Sequence, residues 1–258
     1  MGNDGYEYQY GFSEEHPDEM YDIEKRTRKG NKTLAVMLDY LSSEGKDPAE
    51  LSLLDIGCST GFMTRLYGQS FGEVVGIDID EGAVRYAQKN NSGVNIRYLV
   101  SDSMDTGFDD ESFDVISCTH IYEHVPDSER LLSEIYRLLK TGGICYFAAG
   151  NRLVLIEGHY GLPLLSVVPK PLAHLYLKIL RRGTYYYENH LTYRGLKRLV
   201  SSFEINDYTL KVIEDPERYH AQDMIRPGSV KQKIVLGLLK VAYFVSPTYI
   251  WVLKKGDG

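Results

Sequence analysis

The stretch LLDIGCSTGF at residues 53–62 decides the fold of this chain. A short apolar run ends in an acid, Asp55, and a turn with glycine at Gly57 and Gly61 follows. From Phe62 onward, apolar residues recur at helical spacing. The pattern predicts a buried strand, a tight loop and a helix, in which the glycines let the backbone turn and let a ligand approach the main chain. The first N–H groups of the helix would point at that ligand.

A second apolar run, VVGID at residues 74–78, ends in another acid about 20 residues past the loop. Nucleotide-binding β-α-β units carry the carboxylate that binds a ribose at this position. The loop itself is not G-x-G-x-x-G, so it lacks the third glycine of a loop that holds a diphosphate. Because Asp55 stands directly before the turn, the site suits a ligand with a cationic end better than a diphosphate.

These segments resemble the class I S-adenosylmethionine-dependent methyltransferases, whose first motif is an acid followed by G-x-G-x-G or a relaxed G-x-x-x-G. Ser59 stands where the middle glycine would be. Two later segments agree with the same family. FDVI at residues 113–116 matches its F-D-x-I strand, and LLKTGG at residues 138–143 is similar to its L-K-P-G-G turn. The resemblance covers about residues 51–150.

The resemblance implies an α/β fold with a Rossmann-like, seven-stranded, mostly parallel sheet whose last strand is antiparallel. The sheet would be the middle of three α/β/α layers, with helical insertions over the substrate side. We expect one domain over residues 1–258. Within it we distinguish an N-terminal arm and helix (1–45), a cofactor-binding core (51–150) and substrate-side insertions (151–190 and 215–246).

The same resemblance implies S-adenosylmethionine as methyl donor and S-adenosylhomocysteine as product. Asp78 would bind the ribose, Ile79 would pack on the adenine, and Asp102 would accept a hydrogen bond from the adenine amine. Arg26, in a predicted N-terminal helix, is our candidate for the methionine carboxylate. The structural alternatives are a solvated charged face for Arg26 and a cap or turn for Asp102. The predicted cofactor-binding residues are Asp55, Gly57, Cys58, Gly61, Asp78, Ile79, Asp102, Ser103, Cys118 and Arg26.

The segment CTHIYEHVPD at residues 118–127 contains the candidate catalytic residues, His124 and His120, together with Glu123. If the segment is helical, the three side chains lie on one face. A neutral imidazole there would take the proton of an acceptor hydroxyl as it attacks the methyl group. The E-H-V-P-D text also resembles the ubiquinone-biosynthesis O-methyltransferases, in which an acid stands at the position of His120.

That second resemblance implies a divalent-metal site as a third alternative, and two imidazoles with one carboxylate suit zinc or another transition ion more than magnesium. A structural role for His124 is a further alternative. The text H-x-x-E-H also matches an inverted zinc-protease motif, but Pro126 follows it at once and a nucleotide-type strand precedes it. We rank the proton-accepting base first, the structural role second and the metal third, so no metal ligand is assigned.

Four more segments carry secondary-structure predictions. Residues 2–17 are polar and rich in tyrosine, which is typical of an arm. Residues 192–203 are predicted to form a helix that follows His190, and residues 204–214 a sixth strand. Residues 247–254 would form the closing strand, which the resemblance expects to be antiparallel.

Composition and charge restrict the partners. The net charge of −7 argues against a nucleic acid bound through its phosphates. Three cysteines without paired metal spacing indicate a reducing compartment, and no signal sequence is visible at the N-terminus, so we expect a cytoplasmic protein. Residues 152–182 and 231–245 are apolar with Lys and Arg at their edges. They favour a small apolar or lipid-linked acceptor with a hydroxyl, or a peripheral contact with a membrane, while packed lid helices are the alternative. No oligomeric state is predicted.

Two other functions remain open at this stage. One is a partner subunit that has the methyltransferase fold but no activity, and the intact acids Asp55, Asp78 and Asp102 argue against it. The other is a nicotinamide oxidoreductase, which the absent G-x-G-x-x-G argues against.

Overall fold

The computed structural model describes residues 10–256. The strands are β1 Ser52–Ile56, β2 Glu73–Asp78, β3 Ile96–Val100, β4 Phe113–Thr119, β5 Leu139–Gly150, β6 Glu204–Asp207 and β7 Thr248–Lys254. The α-helices are α1 Phe12–Glu15, α2 Pro17–Met20, α3 Ile23–Ser43, α4 Phe62–Tyr67, α5 Glu81–Asn90, α6 Ser128–Leu138, α7 Lys170–Ile179, α8 Tyr193–Leu199, α9 Thr209–Glu214 and α10 Val230–Val241.

All seven strands belong to one sheet, in the order β3-β2-β1-β4-β5-β7-β6. The pairs β1–β2, β2–β3, β1–β4 and β4–β5 are parallel. Only β7 runs antiparallel to its two neighbours, β5 and β6. The predicted seven-stranded sheet with an antiparallel last strand is therefore confirmed. The strand order reverses between β1 and β4. Folds of this type bind ligands at the carboxyl ends of the strands at such a point.

Apolar side chains cover both faces of the sheet. The neighbours Leu53 and Leu54 are both fully buried, but they belong to two different core clusters. Likewise Val115 packs in the cluster of Leu53, and Ile116 packs in the cluster of Leu54. Successive residues of a strand point to opposite faces, so helices on both sides bury these strands in three layers.

The segment after β4 is not the helix that would place His120, Glu123 and His124 on one face. Residues 122–124 form a turn, and α6 begins only after Asp127, whose side chain accepts the N–H groups of Glu129 and Arg130. The hydroxyl of buried Tyr122 donates to the carbonyl of Gly150 at 2.5 Å, which pins the turn to the end of β5. Tertiary contact therefore overrides the helical spacing of the histidines.

The predicted strand over residues 204–214 is too long. β6 ends at Asp207, whose carboxylate accepts the N–H of Thr209 and starts α9. Thr209 also donates its hydroxyl to the carbonyl of Ile250 in β7, and the N–H of Ile250 donates back to that hydroxyl. The hydroxyl of Thr209 thus makes hydrogen bonds to β7 that the backbone of a longer β6 would otherwise make.

The predicted N-terminal arm contains helical structure. Residues 1–9 lie outside the described part. α1 lies within the predicted arm, and α2 begins at its last residue, Pro17. Ser13 donates both its N–H and its hydroxyl to Oδ2 of Asp80, and Thr60 donates its hydroxyl to the carbonyl of Met20. α1 and α2 therefore lie against the loops that follow β1 and β2. Across residues 10–256, no helix has the length and apolar character needed to cross a membrane.

Candidate active site

A cavity of about 350 Å³ opens at the carboxyl ends of β1, β2, β3 and β4. Seven of the predicted cofactor-binding residues line it, and so do both predicted catalytic histidines. These residues are Arg26, Asp55, Gly57, Asp78, Ile79, Asp102, Ser103, His120 and His124. The parallel strands bring the acids together because their carboxyl ends share one edge of the sheet.

The loop after β1 has the backbone that its glycines predict. Gly57 and Gly61 have φ angles of 71° and 79°, in the left-handed region that favours glycine. The N–H groups of Gly57 and Cys58 both donate to the carbonyl of Ile77 in β2, at 2.9 and 3.0 Å. The loop therefore stays close to the end of the neighbouring strand.

Four acids line the cavity, and their surroundings differ; they are Asp55, Asp78, Asp80 and Asp102. Asp55 is 3% exposed and accepts the hydroxyl of Thr64 at 2.6 Å, and burial raises its pKa to about 6. Asp78 accepts the N–H groups of Ser59 and Asp80, and burial raises its pKa as well. Burial makes the ionised carboxylates costly unless a donor or cation faces them, so the cavity favours a ligand with hydroxyl groups and positive charge.

Asp102 makes the turn contact weighed for it and also lines the cavity. Its carboxylate accepts the N–H of Met104 at 2.9 Å, as in a turn, and the same residue lines the cavity. Ser103 lies beside it on the cavity wall. The predicted turn role is thus present, and it leaves the residue facing the ligand space.

Arg26 supplies a cationic end to the cavity. It belongs to α3, is only 7% exposed, and its Nε has no hydrogen-bond partner among the described residues. A buried guanidinium nitrogen without an acceptor is costly, and a carboxylate is its best partner. The group therefore fits the carboxylate of a bound amino acid.

The structure does not bring every predicted residue to the cavity. Cys58, Gly61 and Cys118 are absent from its lining. The thiol of Cys58 packs with Val84, Ala87 and Tyr98, and Cys118 lies in the core under the sheet. Both thiols are buried, and burial raises their pKa values, so they are protonated and inert at neutral pH.

The histidines of the turn after β4 lie in a charged surrounding. His120 is in the left-handed region, with φ at 57°, and its Nδ1 lies 3.1 Å from Oε1 of Glu123. Burial lowers the pKa of His124 to about 3, so its imidazole is neutral at physiological pH. Its ring centroid is 5.4 Å from that of Phe12 and 4.9 Å from that of His159. The neutral imidazole weighed above therefore lies on the cavity wall, and the same low pKa makes it a weak proton acceptor.

Several lining residues were missed. Two of them, Phe12 and Ser13, belong to α1, and Met20 is the last residue of α2. Lys29 lies one turn after Arg26 in α3. His159 reaches the cavity from the segment after β5. No short motif marks the N-terminal residues, since only tertiary contacts bring them to the loops. His159 had a signal of another kind, as a histidine in the predicted substrate half.

The fold and the strand-end acids together define a class I methyltransferase type of α/β domain. Residues 54–147 match the family model described as methyltransferase domain. A curated relative from Pseudomonas entomophila (strain L48), named ubiquinone biosynthesis O-methyltransferase, is 30% identical over 161 residues, which cover 60% of this chain and 65% of the relative. The chain spans 44% to 65% of the lengths of such relatives.

Solved structures show the same fold at low sequence identity. An S-adenosylmethionine-dependent methyltransferase from Mesorhizobium loti has a TM-score of 0.56 at 16% identity, covering 84% of this chain and 96% of that one. The Haemonchus contortus Phospholethanolamine N-methyltransferase 2, solved with phosphomonomethylethanolamine and S-adenosylhomocysteine, has a TM-score of 0.54 at 18% identity. That match covers 96% of this chain and 60% of the other. At these identities the likeness concerns the fold alone.

Proposed function

We propose that this chain transfers a methyl group from S-adenosylmethionine to a hydroxyl of a small apolar or lipid-linked acceptor. One observation carries the proposal, namely that Asp55, Asp78 and Asp102 line the same cavity as Arg26. In this proposal Asp78 binds the ribose, Asp102 the adenine amine and Arg26 the methionine carboxylate, and Asp55 faces the cationic part of the cofactor. The O-methyltransferase names of the relatives support the reaction class.

The proposed mechanism asks little of the protein beyond alignment. The donor methyl is already activated by the positive sulfur, so holding the acceptor in line with it supplies about 7–11 kcal/mol of the barrier reduction. A general base adds about 10²–10⁴-fold. His124, neutral because burial lowers its pKa, is the proposed base, with His120 beside it.

Calorimetry with three ligands tests the proposal. We expect heat of binding with S-adenosylmethionine and with S-adenosylhomocysteine, and none with NAD. Absence of heat with the first two would refute the methyltransferase proposal, and binding of NAD alone would favour the oxidoreductase. Screening lipid extracts with a labelled methyl donor would then identify the acceptor class.

The affinity for S-adenosylmethionine is expected to rise as pH increases from about 5 to 7. Since burial raises the pKa of Asp55 to about 6, the free protein holds a proton there that a cationic ligand displaces. Binding at pH 5 should release close to one proton more from the wild type than from Asp55→Asn, as measured by calorimetry in buffers of different ionisation enthalpy. Equal proton release by the two proteins would contradict the role of Asp55. Asp78, whose pKa is also raised, accounts for any release that remains.

His124→Gln is expected to lower kcat by about 10²-fold, the low end for a general base, because its pKa of about 3 makes it a weak proton acceptor, while the Kd for S-adenosylmethionine stays within about threefold. The imidazole would act only on the acceptor, so cofactor binding does not need it. His220→Asn, at an exposed position, is the matched control and should leave both constants unchanged. Unchanged turnover in a His120→Ala/His124→Ala double variant would exclude both residues as the base.

We also propose peripheral contact with a membrane. α7 and α10 expose apolar side chains (Leu172, Leu175, Ile179, Val230, Ile234, Leu238 and Val241) beside lysines such as Lys178 and Lys233. Exposed apolar side chains with neighbouring lysines fit the boundary between headgroups and acyl chains of an anionic bilayer. We expect the protein to sediment with anionic vesicles at low salt, and a Leu175→Glu/Ile234→Glu variant to stay in solution. Equal sedimentation of both proteins, or of neither, would contradict the contact.

A further inference from the structure

A second group of charged side chains lies beside the cavity, outside the row of acids at the strand ends. Glu157, His159 and His190 each direct one ligand atom to a common region, and these atoms lie within 4.8 Å of one another. We propose that these three residues bind a divalent transition-metal ion of the zinc class. The inference does not depend on methyl transfer, because it concerns the side chains of the segment after β5.

The carboxylate of Glu157 has a fixed orientation. Its Oε2 accepts the N–H groups of His159 and Tyr160, both at 2.9 Å. Its Oε1 is thereby directed at two imidazole nitrogens, 2.7 Å from Nδ1 of His159 and 3.7 Å from Nε2 of His190. One carboxylate oxygen thus faces two nitrogen ligands while the other is held by the backbone.

Burial separates this group from an ordinary surface cluster. The side chains of Glu157 and His190 are 1% and 7% exposed, and that of His159 is 19% exposed. Neither ring nitrogen of His190 has a hydrogen-bond partner among the described residues. A buried polar group without a partner costs about 1–3 kcal/mol, so an ion at this ring would remove a penalty that the metal-free protein carries.

The donor set selects the class of ion. Two imidazole nitrogens and one carboxylate oxygen are the ligands of zinc and of other late divalent transition ions, whereas magnesium and calcium prefer oxygen alone. Glu188 belongs to a second group of three, with His124 and His159, that shares only His159 with the proposed site. Its Oε2 is buried and lacks a hydrogen-bond partner among the described residues.

The site is not the one weighed from the sequence. Among the described residues, His120, Glu123 and His124 do not form a group of three ligand atoms close enough for one ion. The geometry moves the metal from the turn after β4 to the segment after β5. Because His159 also lines the cavity, the ion would lie next to the space proposed for the acceptor.

Cobalt titration of the whole chain tests the site directly. Protein treated with chelator is titrated with Co²⁺, whose visible absorption reports nitrogen and oxygen ligands, and then with Zn²⁺. We expect one Co²⁺ per chain, displaced by one Zn²⁺. In His190→Gln the affinity should fall at least about 100-fold, while the control His220→Asn, at an exposed histidine, should bind as the wild type does. Circular dichroism of each variant checks its fold.

Absence of Co²⁺ and Zn²⁺ binding by the wild type would overturn the proposal. An affinity in His190→Gln and Glu157→Gln equal to that of the wild type would overturn it too, because the ion would then be bound elsewhere. If a variant fails to fold, X-ray absorption of the zinc-loaded wild type decides. Two imidazoles and a carboxylate around the zinc support the site, and a shell without imidazole refutes it. None of these measurements uses S-adenosylmethionine, so their failure leaves the proposed methyl transfer standing.

Discussion

Asp78→Ala is expected to lower the affinity for S-adenosylmethionine at least about 100-fold, which corresponds to about 2.8 kcal/mol. In the proposed complex the carboxylate accepts the ribose hydroxyls, and hydrogen bonds to a charged group contribute about 1.5–3 kcal/mol each. The same carboxylate accepts the N–H of Ser59 at 2.8 Å, so its loss also loosens the loop after β1. Calorimetry with the methyl donor and with S-adenosylhomocysteine measures the effect.

Asp109→Ala is the control for Asp78→Ala, since it removes an exposed acid that the cavity does not contain. It should leave the Kd within about twofold of the wild type, a difference of about 0.4 kcal/mol. Asp78→Asn separates charge from shape, and we expect it to bind weakly as well. An Asp78→Ala protein that is folded and retains wild-type affinity would exclude Asp78 as the ribose ligand.

Gly61→Ala is expected to destabilise the fold by about 2–5 kcal/mol. A left-handed backbone costs a residue with a Cβ about 1–2 kcal/mol, and crowding in a packed site adds about 1–3 kcal/mol. A Cβ at Gly61 would lie 2.7 Å from the Cβ of Ala87 and 2.9 Å from ring carbons of Tyr98. Gly61 was predicted to bind the cofactor, whereas the structure gives it a packing role behind the loop.

Gly45→Ala is the matched control for Gly61→Ala. Gly45 has a similar φ of 67°, but nothing lies within 4 Å of the Cβ it would gain. Gly45→Ala should therefore lower the stability only by the cost of the left-handed backbone, about 1–2 kcal/mol. Urea unfolding of the three proteins measures both values. Equal losses in the two variants would show that contact with Ala87 and Tyr98 adds nothing.

The strand-end acids could be predicted because their signals are local. Each lies at or just beyond the end of an apolar run, and parallel strands necessarily bring such ends to one edge of the sheet. The same local signals could not show that Cys58 and Cys118 lie outside the cavity. Which face a residue takes depends on the register and on the neighbouring helix, and both thiols point into the core.

The histidine turn shows where local reasoning ends. The spacing of His120, Glu123 and His124 is compatible with a helix, but Tyr122 binds the carbonyl of Gly150, 28 residues away, and holds the segment as a turn. The ring of His124 lies 4.9 Å from that of His159, which comes from the segment after β5. No pattern in the sequence predicts a contact between residues that are so far apart in the chain.

By itself the amino-acid sequence determined the β-loop-α unit, the succession of buried strands along the chain and the strand-end acids that line the cavity. These depend on residues close together in the chain, through hydrophobic periodicity and the conformational freedom of glycine. Only the tertiary structure decided how Ser13 of α1 reaches Asp80, 67 residues away, and how Glu157, His159 and His190 meet. Those contacts arise because packing on the sheet brings separate segments together, and buried polar groups then need partners wherever the fold places them.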